Sequence, residues 1–120
     1  MTELSVRDAA QQTGVSVYTL HYYEREGLLR VGRTSSGHRR YAPSDLGWIK
    51  ILTCLRETGM PIRTMREFAA LVKTDQSNIP ERIRILGTHR TEVLERMSRL
   101  TQNLEVLDGK LGHYQRMVEG

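Results

Sequence analysis

Residues 4–29 read LSVRDAAQQTGVSVYTLHYYEREGLL, and this stretch decides the fold of the chain. Ser5 precedes a short apolar pattern and is followed three residues later by Asp8, which is typical of a helix N-terminus. Gly14 suits the left-handed position that ends such a helix. Ser16 then caps a second helix, which we expect to stop at the next glycine. Two short helices joined by a tight glycine turn are typical of a helix-turn-helix.

A small basic hairpin is predicted directly after the second helix. Residues 31–33 and 38–41 flank the polar segment Thr34-Ser35-Ser36-Gly37, and such a segment between two short arms indicates a hairpin loop. A hairpin in this place forms a wing. The sequence therefore predicts a mostly α-helical protein whose core element is a winged helix-turn-helix.

Two more helices are expected before the chain changes character. Pro43 suits the first position of a third helix, whose apolar spacing continues to about Glu57. The segment Gly59-Met60-Pro61 interrupts that pattern, and a fourth helix follows over about residues 62–72. We predict a winged helix-turn-helix domain with its following helix pair over residues 1–73, and a polar linker over 74–79.

The last forty residues predict a long helix over 80–120. Apolar side chains recur there in alternating steps of four and three, which is the a/d spacing of a coiled coil. These residues are Val93, Met97, Leu100, Leu104, Leu107, Leu111, Tyr114 and Val118. About 38 helical residues extend for about 57 Å, so the stripe is longer than a small neighbouring domain could cover. We expect the stripe to form a homodimer, with a helix folded back on its own domain as the alternative.

Charge and composition favour a polyanionic partner. The net charge is +4, and residues 1–73 carry 11 Lys and Arg against 7 Asp and Glu, whereas residues 74–120 are balanced. The basic excess therefore coincides with the helix-turn-helix. The chain has one cysteine, which excludes an internal disulfide. Because no long apolar run and no signal-peptide pattern is present, we expect a cytoplasmic protein without a membrane partner.

Several short motifs together resemble a known family. They are Gly14-Val15-Ser16, Thr19-Leu20, Tyr22-Tyr23-Glu24, Gly27-Leu28-Leu29, Gly37, Arg39-Arg40-Tyr41, Asp45-Leu46 and Leu55-Arg56-Glu57-Thr58-Gly59. With these motifs, residues 4–55 resemble the DNA-binding domain of the MerR family of bacterial transcription regulators. The helices that follow fit the second half of the short members of that family.

The resemblance implies a mechanism. Members bind a pseudo-palindromic operator in double-stranded DNA as dimers, with two antiparallel C-terminal helices between the DNA-binding domains. An activated dimer bends and untwists the DNA so that RNA polymerase engages both promoter elements, which is control through DNA deformation. A small signal, such as one arising in a stress response, would switch the dimer.

The candidate DNA contacts lie on the second helix, on the wing and at the start of the fourth helix. Side chains of the second helix suit the major groove, and wing arginines suit phosphates or a minor groove. The complete set is Ser16, Tyr18, Thr19, His21, Tyr22, Tyr23, Arg33, His38, Arg39, Arg40, Tyr41 and Arg63. His21 stands where the family usually has arginine. Core packing is the alternative for Tyr23, and a solvated surface charge is the alternative for each arginine.

Cys54 is the candidate sensing residue. The run from Cys54 to Pro61 resembles a MerR subgroup that uses one cysteine at this place to respond to aldehydes and other thiol-reactive carbonyls. Lys50, one helical turn earlier, would favour the thiolate, whereas Glu57, three residues later, opposes that effect. The alternative is a small buried core residue in a regulator with a non-covalent or unknown effector.

Other classes of function are less well supported. An enzyme with Cys54 as nucleophile would need a base held against the sulfur and an oxyanion site, and the sequence offers no motif for them. No cofactor and no metal site are expected, because the cysteine is alone and His89 and His113 lack ligand spacing and read as surface residues. A coiled-coil adaptor whose helix-turn-helix binds protein remains a remote alternative.

Overall fold

The computed structural model describes residues 3–120, and their elements form a winged helix-turn-helix followed by a long helix. The elements are α1 (Val6–Thr13), α2 (Val17–Arg25), β1 (Gly32–Arg33), β2 (Arg39–Arg40), α3 (Pro43–Glu57), α4 (Ile62–Val72), a 3-10 turn (Gln76–Asn78) and α5 (Ile79–Glu119). The predicted fold class is confirmed. Residues 1 and 2 of the predicted 1–73 domain lie outside the described residues.

The turn between α1 and α2 follows from local chemistry. Ser5 Oγ accepts a hydrogen bond from the Asp8 N–H at 3.2 Å, and Ser16 Oγ accepts one from the Thr19 N–H at 3.0 Å. Both serines are therefore N-caps, as predicted. Gly14 has φ 72° and donates its N–H to Ala10 O at 2.9 Å. A side chain is strained at that φ, which explains why glycine ends α1.

The wing is shorter than the sequence predicted. Its antiparallel strands pair Gly32 with Arg40 and Arg33 with Arg39, and the predicted outer residues are not part of them. Tyr41 instead forms an isolated bridge with Leu4, through two backbone hydrogen bonds of 2.8 Å. The base of the wing is thus fastened to the segment before α1. The sequence around the wing could not predict where its second strand ends, because the bridge partner of Tyr41 is Leu4, which is distant in the chain.

The core lies among the first four helices and the base of the wing. α1 packs against α2 and α3, and α4 packs against α3. The largest fully buried side chains are Tyr23, Tyr41, Leu20, Leu28, Ile49, Leu52 and Met65. Burial of each aliphatic side chain of this size stabilises the fold by about 1.5–3 kcal/mol. Their positions on several elements fix the orientation of α2 against its supporting helices.

Two cations of α4 and the residue after it bind the C-terminal end of α2. Arg66 forms an ion pair with Glu26 and also donates from Nε to Glu26 O at 3.3 Å. Lys73 Nζ donates to Gly27 O at 3.1 Å. Carbonyl groups at a helix C-terminus lack partners inside the helix and carry partial negative charge, so cations there are stabilising.

The chain separates into two compact units, one that ends at Arg82 and one over Ile83–Gly120. In the first unit, Arg82 donates to the carbonyl oxygens of Leu71 and Asp75 at 3.1 Å and 3.0 Å. α5 begins at Ile79, one residue before the predicted start, and continues as α-helix through Gly109 and Gly112. The predicted boundaries of domain and linker remain predictions.

The two histidines of α5 differ in their surroundings. His113 lies on the exposed part of the helix, whereas His89 is buried, so the expectation of a surface position was wrong for His89. Of the helices within residues 3–120, none combines the length and the apolar character that a membrane crossing requires.

Candidate nucleic-acid interface

The outer face of α2 presents aromatic rings together with a cation. Tyr18, Tyr22 and Arg25 follow each other at one-turn spacing, and Tyr18 is 72% exposed. The Arg25 guanidinium carbon lies 5.8 Å from the Tyr18 ring centroid and 5.9 Å from that of Tyr22. Cation–π attraction at this distance holds the long arginine side chain along the helix. We name Tyr18, Tyr22 and Arg25 the α2 face.

A second cation reaches this face from α3. The Arg56 guanidinium carbon lies 5.0 Å from the Tyr22 ring centroid. Sequence reasoning missed both arginines as part of the site. Arg25 could have been found, because it falls one turn after Tyr22 on the same helix face. Arg56 carried no such signal, since it comes from a different helix.

The N-terminus of α2 is also open. Ser16 is exposed, and its hydroxyl donates to Thr19 Oγ1 at 2.9 Å while its oxygen caps the Thr19 N–H. The first N–H groups of a helix and their partial positive charge favour anions. Ser16 and Thr19 are therefore placed where a phosphate contact is chemically reasonable, and their role in DNA binding stays a prediction.

Glu24 of α2 fastens the wing to that helix. Its carboxylate accepts from Arg39 Nε at 2.8 Å and Arg39 Nη2 at 3.3 Å, and from Arg33 Nη2 at 3.2 Å. The hydrogen bond from Arg39 lowers the pKa of Glu24, and the same bond raises the pKa of Arg39. Arg33 Nη1 also donates to Gly37 O at 3.1 Å, within the hairpin loop. Two predicted phosphate ligands are thus held by one carboxylate.

The other two basic side chains of the wing form no ion pair with Glu24 within the described residues. Arg40 and His38 are exposed, and within residues 3–120 Arg40 takes part in no ion pair. Arg40 is therefore the wing cation with the best access to a phosphate. Arg63, at the start of α4, is exposed as well. Contacts from these three side chains to DNA remain predictions.

Tyr23 and Tyr41 do not line the exposed face. Tyr23 is 1% exposed and its hydroxyl shares a hydrogen bond of 3.1 Å with Thr53 Oγ1 on α3. Tyr41 is fully buried, and desolvation raises the pKa of its hydroxyl. We correct the two assignments accordingly, because both side chains pack in the core. The core alternative for Tyr23 was the better interpretation.

His21 is neither as exposed as the wing cation Arg40 nor as buried as Tyr23 and Tyr41. The residue is partly exposed, but its Nε2 is buried and has no hydrogen-bond partner among residues 3–120. A DNA contact by His21 stays a prediction.

Cys54 lies on the surface of α3. The residue is exposed, as are Lys50 one turn before it and Ile51 beside it. The alternative of a buried core cysteine does not agree with this position. In the part of the chain that the structure describes, no three His, Cys, Asp or Glu side chains are grouped as a metal site would require.

The predicted coiled-coil stripe on α5 is mainly exposed. Leu100, for example, is 68% exposed, and Leu104, Leu107 and Leu111 are exposed in the same way. Val93 is half-buried. Soluble proteins rarely leave so continuous an apolar stripe in water, so the stripe is a candidate interface.

Comparisons with known proteins agree with this geometry. The sequence model of the family described as MerR HTH family regulatory protein matches residues 4–79. An HTH-type transcriptional regulator of Haemophilus influenzae is 37% identical over 109 residues, which cover 90% of this chain and 81% of that protein. The HTH-type transcriptional regulator AdhR of Bacillus subtilis is 33% identical over 93 residues, covering 77% of this chain and 66% of AdhR.

Solved structures share the fold over nearly the whole chain. HiNmlR, described as a MerR family regulator lacking the sensor domain and bound to promoter DNA, superposes with a TM-score of 0.85 at 35% identity, covering 95% of this chain and 91% of that chain. A putative MerR family transcriptional regulator from Listeria monocytogenes gives a TM-score of 0.87 at 31% identity, covering 93% and 86%.

Proposed function

We propose that this chain, which belongs to the MerR HTH family of regulatory proteins, binds a pseudo-palindromic operator as a homodimer. It controls the promoter by bending and untwisting that DNA. Membership of this family makes it a transcription regulator and not an enzyme. RNA polymerase is the partner that responds to the deformed promoter, and the cytoplasm is the place of action. The observation that carries the proposal is the α2 face, in which Tyr18 and Arg25 are exposed, beside a basic wing.

The DNA contact divides between two surfaces. The α2 face enters the major groove, where Tyr18 and Arg25 reach base edges or phosphates. Arg40 on the wing contacts the flanking backbone and releases counterions. The similarity to HiNmlR, whose structure holds promoter DNA, supports this arrangement.

Dimerisation uses the α5 stripe. Two copies of α5 packed antiparallel would remove the exposed leucines of the stripe from water, and each buried leucine stabilises the assembly by about 1.5–3 kcal/mol. The partner helix is the natural occupant because the a/d spacing of one copy complements that of another. A two-fold axis between the domains then predicts inverted half-sites in the operator.

The signal is a thiol-reactive aldehyde that modifies Cys54. The exposed thiol on α3 is accessible to a small electrophile, and Lys50 stands one turn away. An adduct changes the promoter only if it favours one of the two dimer geometries energetically. A non-covalent effector, with no signalling role for Cys54, is the second candidate.

Selection of genomic fragments by the purified protein tests the DNA-binding part. We expect enrichment of a sequence with two inverted half-sites. Absence of sequence-specific binding would contradict the proposal and support a coiled-coil adaptor. A circular-permutation gel assay on the selected site then measures the bend, with and without formaldehyde or methylglyoxal. A bend that is unchanged by either compound would contradict the aldehyde signal and leave the DNA-binding part intact.

A further inference from the structure

A cavity of about 370 Å³ lies between the segment after α2, the α3 helix and the last turn of α4. Its lining residues are Leu28, Arg30, Trp48, Ala69, Val72 and Lys73. Trp48 stacks on Phe68, with ring centroids 5.9 Å apart and an interplanar angle of 21°. Leu28 and Ala69 are buried, so the cavity has a fixed apolar floor.

Two cations border this apolar floor. Arg30 and Lys73 are both exposed, and no acidic side chain is among the six described lining residues. A second cavity of about 470 Å³ shares Arg30 and Lys73 with the first. Glu24 lines that second cavity, but its charge is already balanced by Arg33 and Arg39. The first cavity therefore combines an apolar surface with net positive charge.

We propose that this cavity is a binding site for a small amphipathic organic anion, with an aromatic or aliphatic body and one carboxylate group. The volume lies within the range of about 300–1,000 Å³ that is typical of small-molecule pockets. The body packs on the Trp48 ring, and the carboxylate accepts charge-assisted hydrogen bonds from Arg30 and Lys73. A purely inorganic anion would leave the apolar floor in water, so the body is part of the recognition.

The same side chains hold the end of the helix that carries the α2 face. Trp48 Nε1 donates to Leu28 O at 2.7 Å, and Lys73 Nζ donates to Gly27 O at 3.1 Å. A ligand carboxylate that draws the Lys73 ammonium group away would remove its hydrogen bond to Gly27 O. Arg30 lies two residues before β1, so the ligand also contacts the segment that leads into the wing.

Ligand binding would therefore alter operator affinity, and this step rests on the proposed function. It requires that the ligand bind the DNA-competent and the free conformations with different affinity. Occupancy of the cavity itself does not depend on DNA, and the two claims can be tested separately.

The indole N–H of Trp48 provides a direct measurement, because the sequence contains one tryptophan. The full-length protein, labelled with ¹⁵N, should give one indole resonance that shifts saturably on titration with 2-naphthoate. The neutral 2-naphthamide, acetate and inorganic phosphate serve as comparison probes and should bind at least tenfold more weakly. Arg30→Gln and Lys73→Gln should each weaken 2-naphthoate binding about tenfold or more. Arg7→Gln removes an exposed cation on α1, outside the cavity, and should leave the affinity unchanged.

Other results would overturn the site. If 2-naphthamide binds as tightly as 2-naphthoate, the two cations do not take part in recognition. If phosphate binds as tightly as 2-naphthoate, the site recognises a simple anion and not an amphipathic one. No indole shift at millimolar 2-naphthoate would remove the site altogether. If the indole shifts as expected but the probe leaves operator affinity unchanged, the site stands and the coupling to DNA is wrong. Failure of the protein to bind any operator would instead contradict the proposed function.

Discussion

Glu24 on α2 and Arg39 on β2 form a bidentate ion pair, with Oε1 2.8 Å from Nε and Oε2 3.3 Å from Nη2. Arg33 adds a third contact to the same carboxylate. The two surfaces that we expect to meet DNA, α2 and the wing, are thus joined by charged hydrogen bonds. The relative orientation of α2 and the wing therefore depends on Glu24, a residue that we do not expect to contact bases or phosphates.

Replacement of Glu24 by glutamine should loosen the wing. Both partners are about a quarter to a third exposed, so we expect a loss of about 1 kcal/mol in the free energy of unfolding. Arg33 and Arg39 are then free to contact any phosphate, so non-specific DNA affinity should rise while the preference for the operator falls. Urea unfolding and competition with random DNA measure the two effects. Glu57→Gln, at an exposed site on α3, is the matched control, and an equal change in both variants would refute the wing assignment.

The ion pair also predicts a pH dependence. The pKa of Glu24 is lowered from 4.5 in the folded protein, so its stabilising contribution is present above the unfolded pKa and is lost as the pH falls through the folded pKa. The difference in unfolding free energy between wild type and Glu24→Gln should therefore be constant near neutral pH and shrink below about pH 4.5. Urea titrations at several pH values measure this difference. A gap that widens on acidification would mean that Glu24 is not the titrating group.

Particular residues show how far sequence could lead. The bounds of α3 and α4 were predicted because Pro43 and the Gly59-Met60-Pro61 segment mark them locally. The pairing of Glu24 with Arg39 was missed, because it joins two elements through tertiary packing. For Tyr23 the sequence left a phosphate contact and core packing open, and the structure places this side chain in the core while its neighbour Tyr22 is half-buried. Side-chain direction on a short helix depends on packing that the sequence does not display.

The wing arginines should differ from each other in their effect on DNA binding. Arg40→Ala removes an exposed cation, so we expect weaker binding to all sequences and a salt slope reduced by about one. Arg39→Ala removes the partner of Glu24 and should mainly reduce discrimination between operator and random DNA. Binding isotherms over a series of salt concentrations distinguish the two variants. If Arg39→Ala reduces the salt slope and leaves the discrimination between operator and random DNA unchanged, Arg39 contacts a phosphate.

The α5 stripe predicts a specific loss of dimerisation. Glutamate at Leu100 and Leu107 would place like charges in the apolar seam, so sedimentation equilibrium should show monomer at concentrations where the wild type is a dimer. Val106→Glu is the matched control, because Val106 is exposed on α5 but lies outside the a/d positions. Dimers that persist in the double variant would place the interface elsewhere. Circular dichroism separates loss of the dimer from loss of the helix.

Cys54 allows the covalent and the non-covalent signal to be distinguished. Its exposed thiol should form an adduct with methylglyoxal, which intact-protein mass spectrometry detects, and Cys54→Ser should form none at this site. Because the side chain is exposed, serine should fold normally and keep the operator affinity of the wild type. In a reporter strain the variant should lose the response to added aldehyde. A variant that still responds would exclude Cys54 as the sensor, and the Trp48 cavity would become the first site to examine for the effector. A variant that forms no adduct and no longer binds the operator would show instead that this surface position is required for the DNA-bound form.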